Sequence, residues 1–207
     1  MHILVTAGPT REYLDEVRFL SNPSSGRMGF ACAREARRRG HRVTLVTGPV
    51  DIPDPRGVRT VRVISAEEMR RAVLDAYPGA DAVLMTAAVS DYRPERREAG
   101  KIKKTGRGRT LRLAPTRDIL AELGRRKGGR VLVGFALEVQ EPVRNALGKL
   151  RRKNLDYVVL NSPRAFGGGR VRARVFTAAG PSKEFRGVPK ETLARWLIRE
   201  IESARLG

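Results

Sequence analysis

The sequence holds one cysteine, Cys32, two histidines, His2 and His41, and only 5% aromatic residues. One thiol cannot form an internal disulfide, and Cys32 falls on the apolar stripe of a predicted first helix. It therefore reads as a packed small side chain in preference to a catalytic thiol. So few aromatics leave little for single-stranded nucleic acid to stack on. No apolar run approaches the roughly 20 residues needed to span a bilayer, and no basic leader precedes an apolar stretch. The expectation is a soluble cytoplasmic protein with no membrane partner. What is abundant is positive charge: 42 basic against 22 acidic residues, a formal net charge of +20. The eight lysines and 34 arginines are scattered in pairs and triplets such as Arg37-Arg38-Arg39, Arg70-Arg71 and Arg151-Arg152. They read as a solvated surface whose field favours an anionic substrate, with nucleic acid as the weaker alternative.

A chain of 207 residues suits one domain, 1–207, with a full core. Apolar runs alternate with helical patterns, which predicts an α/β, Rossmann-like three-layer fold with a mainly parallel sheet. Strands are expected at 2–7, 42–47, 58–63, 81–86, 130–135 and 157–161, and a hairpin at 171–177 and 184–186. Helices are expected at 27–39, 66–76 with Ser65 as its cap, 118–127, 142–153 and 190–204. The basic, glycine-punctuated stretch 93–112 reads as an extended arm or flap. The turn after the first strand, Gly8-Pro9-Thr10-Arg11-Glu12, lacks the G-x-G-x-x-G fingerprint, which disfavours NAD and an oxidoreductase.

The most specific local signal is Ser21-Asn22-Pro23-Ser24-Ser25-Gly26-Arg27-Met28-Gly29. A small, hydroxyl-rich loop entering a helix can hold an anion at the unpaired amides and positive dipole end, although Ser-Ser-Gly is equally an ordinary helix cap. Asn22 adds a neutral amide. Asp91 is the one acid in 87–93, at the mouth of the fourth strand, where a carboxylate can meet a ribose hydroxyl or a magnesium ion, or simply form a turn. Lys149 and Lys153 share a helix face at i and i+4. Lys101 and Lys103 would share one side of an extended segment, with Lys104 on the other. Charge alone leaves these lysines as solvated surface.

The blocks Ala7-Gly8-Pro9-Thr10-Arg11-Glu12, Val17 through Gly29, Ala87-Ala88-Val89-Ser90-Asp91-Tyr92-Arg93-Pro94, Lys101-Ile102-Lys103-Lys104, Gly134-Phe135-Ala136-Leu137-Glu138 and Lys153-Asn154-Leu155-Asp156 follow one another in order. In that order they resemble phosphopantothenate–cysteine ligase, the synthetase of coenzyme A biosynthesis, over about the whole chain. The resemblance implies a ligase that uses CTP and Mg to join 4'-phosphopantothenate and cysteine through an acyl-cytidylate; the residues themselves admit CTP or ATP. It implies catalytic roles for Asn22, which would stabilise the acyl-cytidylate, and for Lys101 on the triphosphate. Nucleotide contacts are implied for Ser24, Ser25, Gly26, Met85, Thr86, Ala87, Asp91, Arg117, Asp118, Ile119, Leu120, Phe135, Lys149 and Lys153. Substrate contacts fall to Asn22 and Ala88, and a metal contact to Asp91. A homodimer is implied, paired through the arm, which can close over the site.

Many bacterial relatives carry a flavin-dependent decarboxylase domain ahead of these blocks. Here the blocks begin at residue one and only two histidines occur, so a monofunctional ligase without FMN is expected. The chain departs from the family pattern at Asn161-Ser162, where Asn-Asp is usual, and at Gly169-Arg170-Val171 after Phe166-Gly167, where Asp-x-Asn is usual. These departures keep open a nucleotide-binding protein that has lost ligase activity.

Overall fold

The computed structural model describes residues 1–162 and 169–206. In chain order the elements are β1 (His2–Ala7), β2 (Arg11–Tyr13), β3 (Phe19–Ser21), α1 (Arg27–Arg38), β4 (Arg42–Thr47), β5 (Arg59–Arg62), α2 (Ala66–Ala76) and β6 (Ala82–Met85). They continue as β7 (Tyr92–Pro94), β8 (Leu113–Pro115), α3 (Ile119–Arg125), β9 (Val131–Leu137), α4 (Pro142–Arg152), β10 (Tyr157–Asn161), β11 (Arg170–Thr177), β12 (Gly180–Pro189) and α5 (Lys190–Leu206).

β1 and β6 are buried at every residue, which requires cover on both faces and suits a parallel sheet. Ile3, Val5 and Ala7 pack with Phe30 of α1 and Leu197 of α5, whereas Leu4 packs with Met69 of α2, Leu123 of α3 and Leu150 of α4. These are the three expected layers. The eight-stranded sheet runs β12-β11-β10-β9-β6-β1-β4-β5, with β5 through β10 parallel and the β11–β12 hairpin antiparallel. Counted along the chain, the six parallel strands lie in the order 3-2-1-4-5-6 of dinucleotide-binding sheets, despite the missing fingerprint. The order reverses between β1 and β6. A crevice opens there at the carboxyl ends.

That crevice is held open by specific bonds. The Ala88 amide donates to Gly8 O (2.9 Å), the Ala87 amide to Thr6 Oγ1 (3.1 Å), and Thr86 Oγ1 to Thr6 O (2.6 Å). α1 crosses directly beneath. A Cβ at Gly29 would lie 2.6 Å from Ala7 Cβ and 2.6 Å from Thr86 Oγ1, so glycine is what lets the helix approach.

The described elements follow the expected ones with small shifts of their ends, apart from three features. β12 runs over Gly180–Pro189, longer than 184–186. Two short hairpins, β2–β3 and β7–β8, were not expected; strands of three residues carry too little alternation to read. The 101–104 stretch belongs to no strand: its Ile102 amide and carbonyl bond the side chains of Asp15 and Arg18 in place of a neighbouring strand, so the extended-strand placement of Lys101, Lys103 and Lys104 is corrected. Phe166 and Gly167 lie outside the described residues.

Candidate functional site

A cleft of about 470 Å³ lies at the carboxyl ends of β6, β9 and β10, against the start of α1. It brings together Asn22, Ser24, Ser25, Gly26, Met85, Thr86, Ala87, Ala88, Asp91, Arg117, Asp118, Ile119, Leu120, Phe135, Lys149 and Lys153, from five separate stretches of chain. Lys101 is not among the lining residues and is exposed on the arm. The arm is fastened next to it. Asp15 accepts hydrogen bonds from the amides of Val17 (2.7 Å), Arg18 (2.7 Å) and Ile102 (3.0 Å), and the Arg18 guanidinium donates to Ile102 O (2.9 Å). Burial alone would raise the Asp15 carboxyl, but these amides and the Arg18 charge outweigh it and hold it down at about 2.

The serine-glycine loop does not act as an ordinary cap. Gly26 occupies the cap position at φ 72°, and no side chain bonds the first turn of α1, so its amides stay available to a ligand. Gly26 is required twice, by its left-handed φ and by Val50 Cγ1, 2.9 Å from where a Cβ would stand.

Asn22 reaches across to the loop after β6, its amide nitrogen donating to Ala88 O (3.2 Å) and Val89 O (3.4 Å). With the N–H bonds turned to the chain, Oδ1 is the group it offers a ligand. On the far wall Asp118 caps α3, accepting from the Ala121 amide (3.0 Å), and pairs with Lys153 at 2.7 Å. Burial opposes the Asp118 charge, but Lys153 and the Ala121 amide hold its carboxyl below the ordinary range. Lys149 donates to Phe135 O (2.6 Å); burial and then Lys153 push its ammonium below the ordinary lysine range.

Asp91 is exposed, and its carboxylate has no hydrogen-bond partner among the described residues, while its carbonyl accepts from the Thr116 amide (2.9 Å). Among the described residues no group of three or more His, Cys, Asp or Glu side chains could hold a metal ion. A lone carboxylate fits an ion that arrives with a polyphosphate and keeps most of its ligands from phosphate and water.

Arg27, Thr116, Glu138, Asn161, Ser162 and Lys190 also line the cleft, beyond the residues expected. Asn161 and Ser162 had drawn notice only as departures from a family pattern. For Arg27 and Lys190 a signal existed: each is the first residue of a helix, where a cation opposes the dipole.

Among the described residues no helix is long and apolar enough to cross a membrane. A family model described as the DNA/pantothenate metabolism flavoprotein C-terminal domain matches residues 1–204. The chain is 47% identical over 169 residues to the coenzyme A biosynthesis bifunctional protein CoaBC of Bacillus subtilis (strain 168), covering 81% of this chain and 42% of that protein. It is 41% identical over 205 residues to a cysteine/cysteine sulfinic acid decarboxylase from an unknown prokaryotic organism, covering 96% of this chain and 57% of that one. The crystal structure of the C-terminal domain of a CoaBC protein superposes with a TM-score of 0.84 at 38% identity, covering 98% of this chain and 94% of that one. The chain thus spans about half the length of these curated relatives.

Proposed function

Because the chain belongs to the family of the DNA/pantothenate metabolism flavoprotein C-terminal domain, we propose that it is a ligase of coenzyme A biosynthesis, joining 4'-phosphopantothenate to cysteine at the expense of CTP. The observation that carries this reading is one cleft in which uncapped helix amides, a neutral amide at Asn22 and the half-buried Lys149 and Lys153, the latter paired with Asp118, meet around the β1–β6 crevice.

The substrate carboxylate attacks the α-phosphorus of CTP, forming a mixed anhydride as the bond to pyrophosphate breaks. The cysteine amine then attacks the acyl carbon, expelling CMP and losing a proton to give the amide. The base lies against Phe135 and the start of α3, with Arg117, Ile119, Leu120 and backbone groups of Met85, Thr86 and Ala87 along the nucleotide. Lys149 and Lys153 bind phosphate oxygens, and Ser24, Ser25 and Gly26 take charge at the start of α1. Magnesium entering with CTP, against Asp91, would offset charge on the phosphates. Asn22 and Ala88 border the reacting carboxyl group. Asn22 offers Oδ1 to the incoming amine; donating to the anhydride instead would mean turning its amide away from Ala88 and Val89. No protein nucleophile is needed, consistent with a Cys32 that is fully buried and whose thiol is pushed up by burial.

A homodimer belongs to the same proposal. Val17, Phe19, Tyr92, Leu111 and Leu113, all in or beside the two small hairpins, are exposed apolar side chains that a second copy would cover.

The test is pyrophosphate release with Mg²⁺ and CTP or ATP, with phosphopantothenate and cysteine each added or omitted. Release that needs phosphopantothenate and prefers CTP is expected. A folded protein that binds CTP yet releases nothing would instead support loss of ligase activity, with Asn161 and Ser162, which line the cleft, as its cause.

A further inference from the structure

Lys190 is 8% exposed, and its ammonium has no hydrogen bond or ion pair among the described residues. Lys190 lines the cleft, and a cation without a partner on a side chain so largely removed from water carries a desolvation cost. Its surroundings make the cost greater. Lys190 is the first residue of α5 and Arg27 the first of α1; the two helices pack side by side and both starts face the same end of the cleft. Each cation sits at the positive end of a helix dipole, beside the other. The nearest acid in the chain, Glu191, is turned to Arg34 at 3.9 Å. Burial first, then Arg27, pushes the Lys190 ammonium below the ordinary lysine range. Asn161 at this end has a buried amide oxygen without a partner among the described residues. Two converging helix starts, two cations without a partner among the described residues and an unsatisfied amide oxygen together suit an anion.

We propose that Lys190, with Arg27 and Asn161, forms a second phosphate subsite, at the end of the cleft away from Lys149 and Lys153. Phosphate oxygens would take the Lys190 ammonium, the Arg27 guanidinium and the free amides of α1, and the Asn161 amide, turned over, would donate to them. Two sources of phosphate fit this chemistry: the β- and γ-phosphates of the nucleotide, which leave as pyrophosphate, and the phosphomonoester of the acid substrate. Naming either source rests on the ligase reading, whereas the subsite itself does not.

The experiment is calorimetric titration of the full chain and of Lys190→Met with inorganic pyrophosphate, CTP, CMP, phosphopantothenate and pantothenate, with Lys183→Met as a control that removes a charge from the exposed edge strand. Lys190→Met should bind the relevant phosphate about tenfold to a hundredfold more weakly, Lys183→Met less than twofold more weakly by the same measure. Without ligand, Lys190→Met should melt at or above the parental temperature, because a buried charge has been removed; a structural role for the ammonium would lower it. Weakening confined to pyrophosphate and CTP, with CMP unaffected, assigns the subsite to the nucleotide. Weakening confined to phosphopantothenate, with pantothenate unaffected, assigns it to the substrate. Parental affinity of a folded Lys190→Met for every ligand overturns the subsite and leaves the ligase reading intact. A parent protein that binds pyrophosphate through Lys190 but neither CTP nor phosphopantothenate would keep the subsite and sink the ligase. Binding of none of these anions sinks both.

Discussion

Asn22 spends its amide hydrogens on Ala88 and Val89, so its identity matters in a way its size does not. Asn22→Asp keeps the shape but sets a negative charge about where the amide nitrogen lay, 3.2 and 3.4 Å from those two carbonyl oxygens, and beside the carboxylate that the proposed ligase would activate. Amide formation should fall by about a hundredfold, the order seen when one polar group around a reacting acyl centre is removed; a parental rate would remove Asn22 from the chemistry. Lys149 gives a prediction in pH. In the proposed phosphate contact only its protonated form would bind, and burial lowers the pH at which that proton leaves. CTP affinity should therefore decline with rising pH before the ordinary lysine range is reached, and binding on that limb should take up a proton, visible by calorimetry in buffers of different ionisation enthalpy. Over the same window the unfolded chain holds more protons than the folded one, so this group's cost to stability shrinks as pH rises. The i, i+4 pairing of Lys149 with Lys153 and the loop at Asn22 were legible because spacing along one element, or composition within one loop, carries them. For Lys190 only its place at a helix start was legible; its burial beside Arg27 was not, because the two are distant in sequence.

The first helix shows what one missing methyl group does for the crevice. Alanine ordinarily stabilises a helix interior over glycine by about 1 kcal/mol. At Gly29 that gain meets Ala7 Cβ and Thr86 Oγ1 at 2.6 Å and Thr6 O at 2.7 Å, in a place where neither strand can move without breaking the bonds between Thr6 and the loop after β6. Gly29→Ala should destabilise by about 1–3 kcal/mol, as overpacking does, and weaken CTP binding because α1 and its free amides are pushed from the cleft. On α4, a Cβ at Gly148 would meet only the Arg152 side chain, its nearest atom at 2.7 Å. That guanidinium can swing away, so Gly148→Ala should raise the melting midpoint; equal losses in the two variants would show that helix propensity, not close approach, sets the outcome. Buried strands and amphipathic helices were readable because period and burial repeat over many residues. The small hairpins were not: β2, β3, β7 and β8 have three residues each and are fixed by contacts with each other and with the arm.

A net charge of +20 on one chain draws any polyanion, so attraction alone does not say which cations do work, and Lys101 is the sharpest case. It lies outside the cleft, one residue from an Ile102 whose amide is held by Asp15 and whose carbonyl is held by Arg18. Bringing Lys101 to the nucleotide bound by its own chain means breaking that fastening. Delivery to the cleft of a second copy, across the apolar hairpins, leaves the fastening in place. The two routes separate in a mixture. Lys101→Ala and Lys149→Ala should each be nearly inactive alone. If the arm serves the partner, a mixed dimer combines both defects in one cleft and leaves the other intact, so mixing and re-equilibrating the two variants should recover up to about a quarter of parental activity: half the dimers are mixed, each with one sound cleft. If the arm serves its own chain, every cleft keeps one defect and nothing is recovered. Recovery is the expected result, measured as pyrophosphate release alongside sedimentation to show that subunits have exchanged, and its absence from an exchanged mixture would return Lys101 to its own cleft or to the solvated surface.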